Sequence, residues 1–165
     1  LGARGDTWPT VDGSVRPYAA DIFPDQFEVT DAPVKAITAQ RTFWEKVTLL
    51  HSLVHLGEER MVRANPARHL YDVYQLANND LGREAILDTD LLASVVEHKK
   101  VFCKRAASKY ELAVPGTLQI LSSKEFAEVL RPEYEEMAGI MIFGDAPGFD
   151  VVVDSLLELQ SNFNS

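Results

Sequence analysis

The chain has 165 residues and a formal net charge of −9, with 46% apolar and 25% charged residues. These values are typical of a globular domain with a real core, and no apolar run approaches the ~20 residues that span a bilayer. Cys103 is the only cysteine, which excludes a disulfide framework and a cysteine-rich zinc site. We therefore expect a cytoplasmic protein without a membrane partner.

The negative charge is concentrated in the last third of the chain. Residues 1–110 contain 14 basic and 15 acidic residues, a balance of −1, whereas residues 111–165 contain 2 and 10, a balance of −8. The acidic part argues against unaided wrapping around nucleic acid, while the balanced part can present a local basic face. A solvated acidic surface is the simplest interpretation of the tail, and attraction of a basic partner is the alternative.

The first 38 residues predict a loose β arm. Residues 7–14 are rich in turn formers, residues 15–22 predict a short strand that Pro17 limits to a sheet edge, and residues 34–37 predict a second strand. Such an arm is too small to fold alone. Leu1 has the character of a strand interior, so we expect the chain to start within a truncated strand.

From Thr38 onward the apolar period becomes helical. Helices are predicted at residues 38–56, at 66–79 after the Asn65-Pro66 start signal, from Thr89 to the Pro115-Gly116 turn, from the capping box at residues 122–125, and at 149–162. Polar connectors are predicted at residues 58–64 and around Gly82. The predicted fold is thus mainly α: a bundle of five or six helices over residues 39–165, preceded by the β-rich arm of residues 1–38.

Two polar clusters open the first two predicted helices, at residues 41–46 and 68–72. Lys46 is flanked by apolar residues, and a half-buried lysine needs a carboxylate or an anionic ligand. Asp72 can be that carboxylate, or both residues can face a nucleotide. Spacing alone slightly favours the structural ion pair.

Other candidates are less specific. His51 and His55 have the i, i+4 spacing of a metal pair but no accompanying glutamate, so ordinary histidines near a helix end are the favoured interpretation. Asp88 and Asp90 are explained by helix capping. The sequence has no glycine-rich phosphate loop and no complete catalytic set. A cluster of basic residues could contact phosphate but would spread around a helix: Lys99, Lys100, Lys104, Arg105 and Lys109.

The two clusters also carry a family resemblance. Arg-Thr-Phe-Trp-Glu-Lys at residues 41–46, followed by Arg-His-Leu-Tyr-Asp at 68–72, resembles the carboxyl-terminal half of AbiEii-type nucleotidyltransferase toxins. Shorter similar stretches extend the resemblance over almost the whole chain: residues 2–4, 15–18, 104–110, 115–118, 134–137 and 141–144.

This family resembles the DNA polymerase β-like nucleotidyltransferases, which transfer a nucleotide from a nucleoside triphosphate (NTP) to an acceptor. The resemblance implies catalytic roles for Lys46 and Asp72. It also implies substrate-binding and supporting roles for further residues: substrate contacts by Arg68, Arg41, Thr42 and Tyr71, and support by Glu45 and His69. For Arg41, as for Glu45, a supporting role is the favoured interpretation.

The resemblance further implies Mg²⁺ and an NTP as cofactor and substrate, tRNA or another RNA as acceptor, a cognate antitoxin and a role in abortive phage defence. The family's Gly-Ser motif with paired carboxylates has no counterpart here, and its third acidic residue would precede Leu1. We therefore expect this fragment to be inactive alone and to hold neither metal nor nucleotide. The alternative is a non-catalytic helical module that binds an antitoxin or stabilises the enzyme.

Overall fold

The computed structural model describes residues 6–165. They form two compact units, one ending at Thr38 and one spanning Ala39–Ser165. The expected strand at Leu1 and the family-like residues 2–4 lie outside the described residues. Whether the first unit belongs to a nucleotidyltransferase head stays a prediction.

The first unit is built on an antiparallel hairpin of β1 (Thr10–Val15) and β2 (Ala32–Ile37), in which Thr10 lies opposite Ile37. The second predicted strand is confirmed. The first is wrong, because β1 ends at Val15 and a short helix, α1 (Tyr18–Ile22), follows Pro17. Proline fixes φ and suits a helix start, so this position limits the strand rather than lying within it.

The second unit is mainly α, as predicted. Its eight helices bring the total in the described residues to nine, more than the predicted five or six, because several are short. They are α2 (Ala39–Leu56), α3 (Glu58–Arg63), α4 (Ala67–Ala77), α5 (Asp80–Leu87), α6 (Thr89–Phe102), α7 (Lys124–Ala127), α8 (Arg131–Met141) and α9 (Phe149–Phe163).

The long helix α2 runs through the centre of this unit. It packs against α3, α4, α5 and α6, while α4 also packs against α8 and α9. Half of its residues are buried, and the apolar ones lie at helical spacing: Phe43, Trp44, Val47, Leu50 and Leu53. The buried indole of Trp44 donates its N–H to the carbonyl of Ala85 at 3.0 Å, which ties α2 to α5. Polar residues of α2 are therefore held on a rigid, well-anchored backbone.

Both predicted connectors contain a helix. Gly57, with φ of +94°, lets the chain turn directly from α2 into α3. Gly82 lies within α5, where Asn79 caps the helix by accepting the Gly82 N–H at 3.0 Å. A Cβ on Gly82 would be only 1.8 Å from the carbonyl oxygen of Leu76. Glycine is thus required there for close packing of α5 on the end of α4, rather than as a helix breaker.

The later helices differ from prediction mainly at their ends. Asp88, not Thr89, caps α6, and Ser123, one residue beyond the predicted Ser122, caps α7. Helix α6 ends at Phe102, and 3₁₀ turns continue the chain toward Gly116. Pro132 occupies the first turn of α8 and so starts a helix instead of kinking one. Among the described residues, no helix combines the length and apolar character needed to cross a bilayer.

Candidate functional site

The helices α2 and α4 bring Lys46 and Asp72 together. The Lys46 ammonium donates to Asp72 Oδ2 at 2.7 Å, and its Nζ lies 3.1 Å from Nδ1 of His69. The buried side chains of Leu70 and Val73 fix α4 against the core. Two residues that are 26 positions apart in the sequence therefore form one contact on two rigid helices.

This contact is open to a ligand. The side chains of Lys46 and Asp72 are 24% and 28% exposed, and a lysine ammonium has three N–H donors, of which Asp72 and His69 account for two. Burial, and next the positive charge of Lys46, lower the pKa of His69 below 6.5. A neutral imidazole at pH 7 accepts a hydrogen bond from the ammonium through Nδ1, and its proton is then on Nε2.

A cleft of about 170 Å³ adjoins Asp72. One wall is polar and comes from α4, with Arg68, Tyr71 and Asp72, and the other is apolar and comes from the end of α8. The apolar wall consists of Met137, Met141 and Ile142. Arg68 is exposed and carries a planar donor fork that matches phosphate oxygens. The cleft thus offers charge to one end of a ligand and apolar contact to the other.

The apolar wall was missed by sequence reasoning. Residues 137–143 are recognisable as an apolar run, but nothing in a single sequence shows that they face α4. The apolar run itself is the one signal in the sequence, and only the structure shows that it stays partly uncovered, with Met141 47% exposed.

A second charge cluster lies on another side of α2. The Arg41 guanidinium, with no exposed surface, lies 3.3 Å from Glu45, and Lys99 of α6 lies 3.1 Å from the same carboxylate. Lys99 also donates to the Glu45 backbone carbonyl at 2.8 Å. Burial lowers the pKa of Lys99, while the charge of Glu45 acts against this shift. This arrangement joins α2 to α6 and fits the supporting role predicted for Glu45.

The remaining predicted site residues are also on α2 and α4. Thr42 is half-buried one turn before Lys46, and the half-buried Tyr71 accepts a hydrogen bond from Gln75 at 2.8 Å. The structure therefore brings Lys46, Asp72 and His69 into contact and lines one cleft with Arg68, Tyr71 and Asp72. Arg41 belongs instead to the buried cluster, and the substrate contacts assigned to it and to Thr42 stay predictions.

His51 is a structural residue. Its Nε2 lies 3.0 Å from the carbonyl oxygen of Lys109, and its Nδ1 accepts the Gln119 N–H at 3.1 Å. Since both ring nitrogens of His51 contact backbone groups, neither is open to a metal shared with His55 in this arrangement. Within residues 6–165, no group of three histidine, cysteine or carboxylate side chains could hold a metal ion.

The cleft residues do not by themselves fit Mg²⁺. Magnesium requires an octahedral shell of oxygen ligands, usually with more than one acidic or phosphate oxygen. Asp72 is the one carboxylate among the residues that line this cleft, and it is already paired with Lys46. What the arrangement can do chemically is bind an anion through Lys46 and Arg68 and hold the lysine in a fixed orientation through Asp72 and His69.

Comparison with known proteins identifies the same family that the motifs at residues 41–46 and 68–72 resemble. A family model described as "Nucleotidyl transferase AbiEii toxin, Type IV TA system" matches residues 1–155, which include α2, α4, the cleft and both charge clusters. Searches of curated proteins and of solved structures find no match to this chain.

Proposed function

The chain belongs to the AbiEii family of nucleotidyl transferase toxins of type IV toxin–antitoxin systems, and from this premise we propose that the Lys46–Asp72 cleft binds the triphosphate end of an NTP during nucleotide transfer. The observation that carries the proposal is the half-exposed contact of Lys46 with Asp72 and His69 beside a cleft with one charged and one apolar wall.

In the proposed reaction, an acceptor hydroxyl loses its proton to solvent and its oxygen bonds to the α-phosphorus of the NTP. The bond from this phosphorus to the α,β-bridging oxygen breaks, and pyrophosphate leaves. Such a displacement depends on positioning and on stabilising the charge on phosphate oxygens. Lys46 supplies a point charge with a free N–H, and Arg68 supplies a donor fork. Asp72, which lines the cleft, and the neutral His69 hold the Lys46 ammonium next to it.

The apolar wall suits the other end of the substrate. A nucleobase can lie against the methionine side chains, which are polarizable and adapt to planar rings. Tyr71 provides an aromatic surface on the polar wall. The proposal therefore places phosphate near Lys46 and Arg68 and base near Met137 and Met141.

Three finer points belong to the same proposal. The acceptor is an RNA such as tRNA, the reaction takes place in the cytoplasm, and the partner is a cognate antitoxin. Transfer requires Mg²⁺ held by carboxylates other than those of the described residues. We accordingly expect the 165-residue chain alone not to incorporate nucleotide, and metal-dependent incorporation of labelled nucleotide into RNA by this chain would contradict that expectation.

Equilibrium binding of a fluorescent NTP to the complete gene product tests the cleft directly. Lys46→Ala and Arg68→Ala should each weaken binding by about tenfold, which corresponds to about 1.4 kcal/mol. Lys124→Ala is the matched control, because it removes an exposed lysine whose partner is Asp154 on α9. Equal NTP affinity in all four proteins would contradict the proposal.

A second candidate function is a non-catalytic module that binds the antitoxin or stabilises the enzyme. It is favoured by one observation, namely that Lys46, Asp72 and His69 satisfy one another without any ligand. If Lys46→Ala and Asp72→Ala in the complete gene product keep full transfer activity and lose only stability, this second function is correct.

A further inference from the structure

A positively charged groove lies at the other end of α2. Two adjoining depressions, of about 310 and 270 Å³, share Arg105 as a common wall. The first is formed by the end of α2, by α3 and by Arg105, and the second by the end of α6 and the 3₁₀ turns after it. We call the five cations that line them the basic groove: Arg60, Arg63, Lys100, Lys104 and Arg105.

The charge of the basic groove is largely uncompensated. Arg63 pairs with Glu59 at 2.6 Å and Lys100 with Glu97 at 2.7 Å, and Glu111 is the acidic member of the second lining. In the part of the chain that the structure describes, Arg60, Lys104 and Arg105 have no carboxylate within ion-pair distance. Uncompensated, adjacent cations raise the local concentration of anions.

This local charge contrasts with the rest of the protein. The chain carries a net charge of −9, which repels nucleic acid from most of its surface. A polyanion would therefore be held at the basic groove and little elsewhere. The contrast gives the groove a selective role that a uniformly basic surface would not have.

The groove also has the features of a phosphodiester site. Leu53 and Leu56 form an apolar floor in the first depression, and Tyr110 contributes a ring to the second. Arginine forks bind phosphate oxygens, while apolar and aromatic side chains contact sugars and bases. A run of cations across two connected depressions matches a ligand with repeated charges better than a single anion.

Its position on α2 connects it with the nucleotide cleft. Lys46 and Leu53 are seven residues apart, which places them on nearly the same side of the helix and about 10 Å apart along its axis. A strand that crosses the basic groove can thus be directed along α2 toward Lys46. This step rests on the proposed function, in which an RNA accepts the nucleotide.

We propose that the basic groove binds the sugar–phosphate backbone of the RNA acceptor and directs its end toward the Lys46–Asp72 cleft. The contacts are electrostatic and independent of sequence, made by Arg60, Lys104 and Arg105. Arg63 and Lys100 join when phosphate displaces their glutamate partners. The walls of the groove come from α2, α3, the end of α6 and the 3₁₀ turns after it, and all of them belong to the unit Ala39–Ser165.

Fluorescence anisotropy with a labelled single-stranded 20-nucleotide RNA tests the assignment. The variant Arg60→Ala/Lys104→Ala/Arg105→Ala should bind at least tenfold more weakly at 50 mM NaCl. The slope of log K against log salt should fall by about two, because each lost phosphate contact on a single strand contributes about 0.7. The control Lys35→Ala/Arg83→Ala/Lys124→Ala removes the same charge from exposed positions outside the groove and should bind within twofold of the parent.

The outcomes separate the alternatives. Equal weakening in the groove variant and in the control would overturn the proposal, provided that both melt at the parent temperature by circular dichroism. If polyglutamate of equal length competes as well as RNA, the groove takes an acidic protein segment and the RNA assignment is wrong. This assay contains no NTP. Loss of RNA binding in the groove variant would therefore support the basic groove even if Lys46→Ala leaves NTP binding unchanged.

Discussion

Two charge clusters arise from neighbouring residues of α2, yet they have different surroundings. Glu45 holds two cations, Arg41 with no exposed side-chain surface and Lys99 with 8%. Lys46, the next residue, faces about 100° away around the helix and meets Asp72 with about a quarter of each side chain exposed. The two clusters look alike in the sequence, because Arg41 with Glu45 and Arg68 with Asp72 each have the i, i+4 spacing of an ordinary helical charge pair.

The difference shows how burial separates charges on which the fold depends from charges that a ligand can reach. A buried cation whose partner is lost remains uncompensated, so we expect removal of Glu45 to destabilise the fold. A half-exposed pair contributes little to stability, because water can replace either partner. Lys46 can therefore exchange a carboxylate for a phosphate at small cost. The predictions below test this division in order of decreasing effect on stability.

Glu45→Ala should destabilise the protein by about 3 kcal/mol, because it leaves Lys99 without its carboxylate and removes the contact to Arg41. Urea denaturation measures the change in unfolding free energy. Glu97→Ala is the control, since its pair with Lys100 is exposed and should contribute less than about 0.5 kcal/mol. If the two substitutions lowered the unfolding free energy equally, the buried Glu45 cluster would contribute no more to stability than an exposed ion pair.

His51→Ala should cost about 2 kcal/mol, because the Lys109 carbonyl and the Gln119 N–H would both lose a buried partner. The same urea experiment reports it. His51→Gln retains a donor and an acceptor and should recover part of the loss. If His51→Ala leaves the unfolding free energy unchanged, residues 109–119 are held to α2 by other contacts.

Stability should also depend on pH through His51. Burial lowers its pKa below 6.5, so as the pH falls the unfolded chain takes up the proton before the folded protein does. This contribution is complete above about pH 6.5 and is lost as the pH falls toward the lowered pKa, by at most about 1.4 kcal/mol per pH unit. His51→Gln should flatten the unfolding free energy measured between pH 7 and 5. An unchanged pH profile in that variant would assign the dependence to other groups.

Asp72→Asn should change the unfolding free energy by less than about 1 kcal/mol, because the pair with Lys46 is partly solvated and the amide oxygen still accepts from the ammonium. Thermal melting followed by circular dichroism is sufficient to measure it. A loss comparable to that of Glu45→Ala would show that the Lys46–Asp72 pair is structural after all.

Much of the fold follows from local pattern. The apolar spacing from Phe43 to Leu53 predicts α2, and the Asn65-Pro66 signal predicts a helix from Pro66, one residue before α4 begins at Ala67. Helix α3 was missed because Met61 is its one buried residue, so it has almost no apolar period. Helix α5 was missed because Gly82 reads as a breaker, whereas close packing against Leu76 requires it.

The residues of the candidate site could be singled out from the sequence, but their surroundings could not. The motifs at residues 41–46 and 68–72 identify Lys46 and Asp72, and helical backbone explains why each is rigid. The 2.7 Å contact between them and the different burial of Glu45 depend on how α2, α4 and α6 pack. The position of the basic groove also depends on packing, because α3 and the end of α6 are distant in the sequence and come together only in the folded chain.

The central claim is that Lys46 acts on substrate rather than on stability. The most direct test compares Lys46→Ala with Lys124→Ala in the complete gene product, measuring the nucleotide-transfer rate and the unfolding free energy of each. We predict that Lys46→Ala lowers transfer by about 100-fold or more and changes stability by less than about 1 kcal/mol, while Lys124→Ala changes neither appreciably. Unchanged transfer together with a large loss of stability in Lys46→Ala would contradict the account.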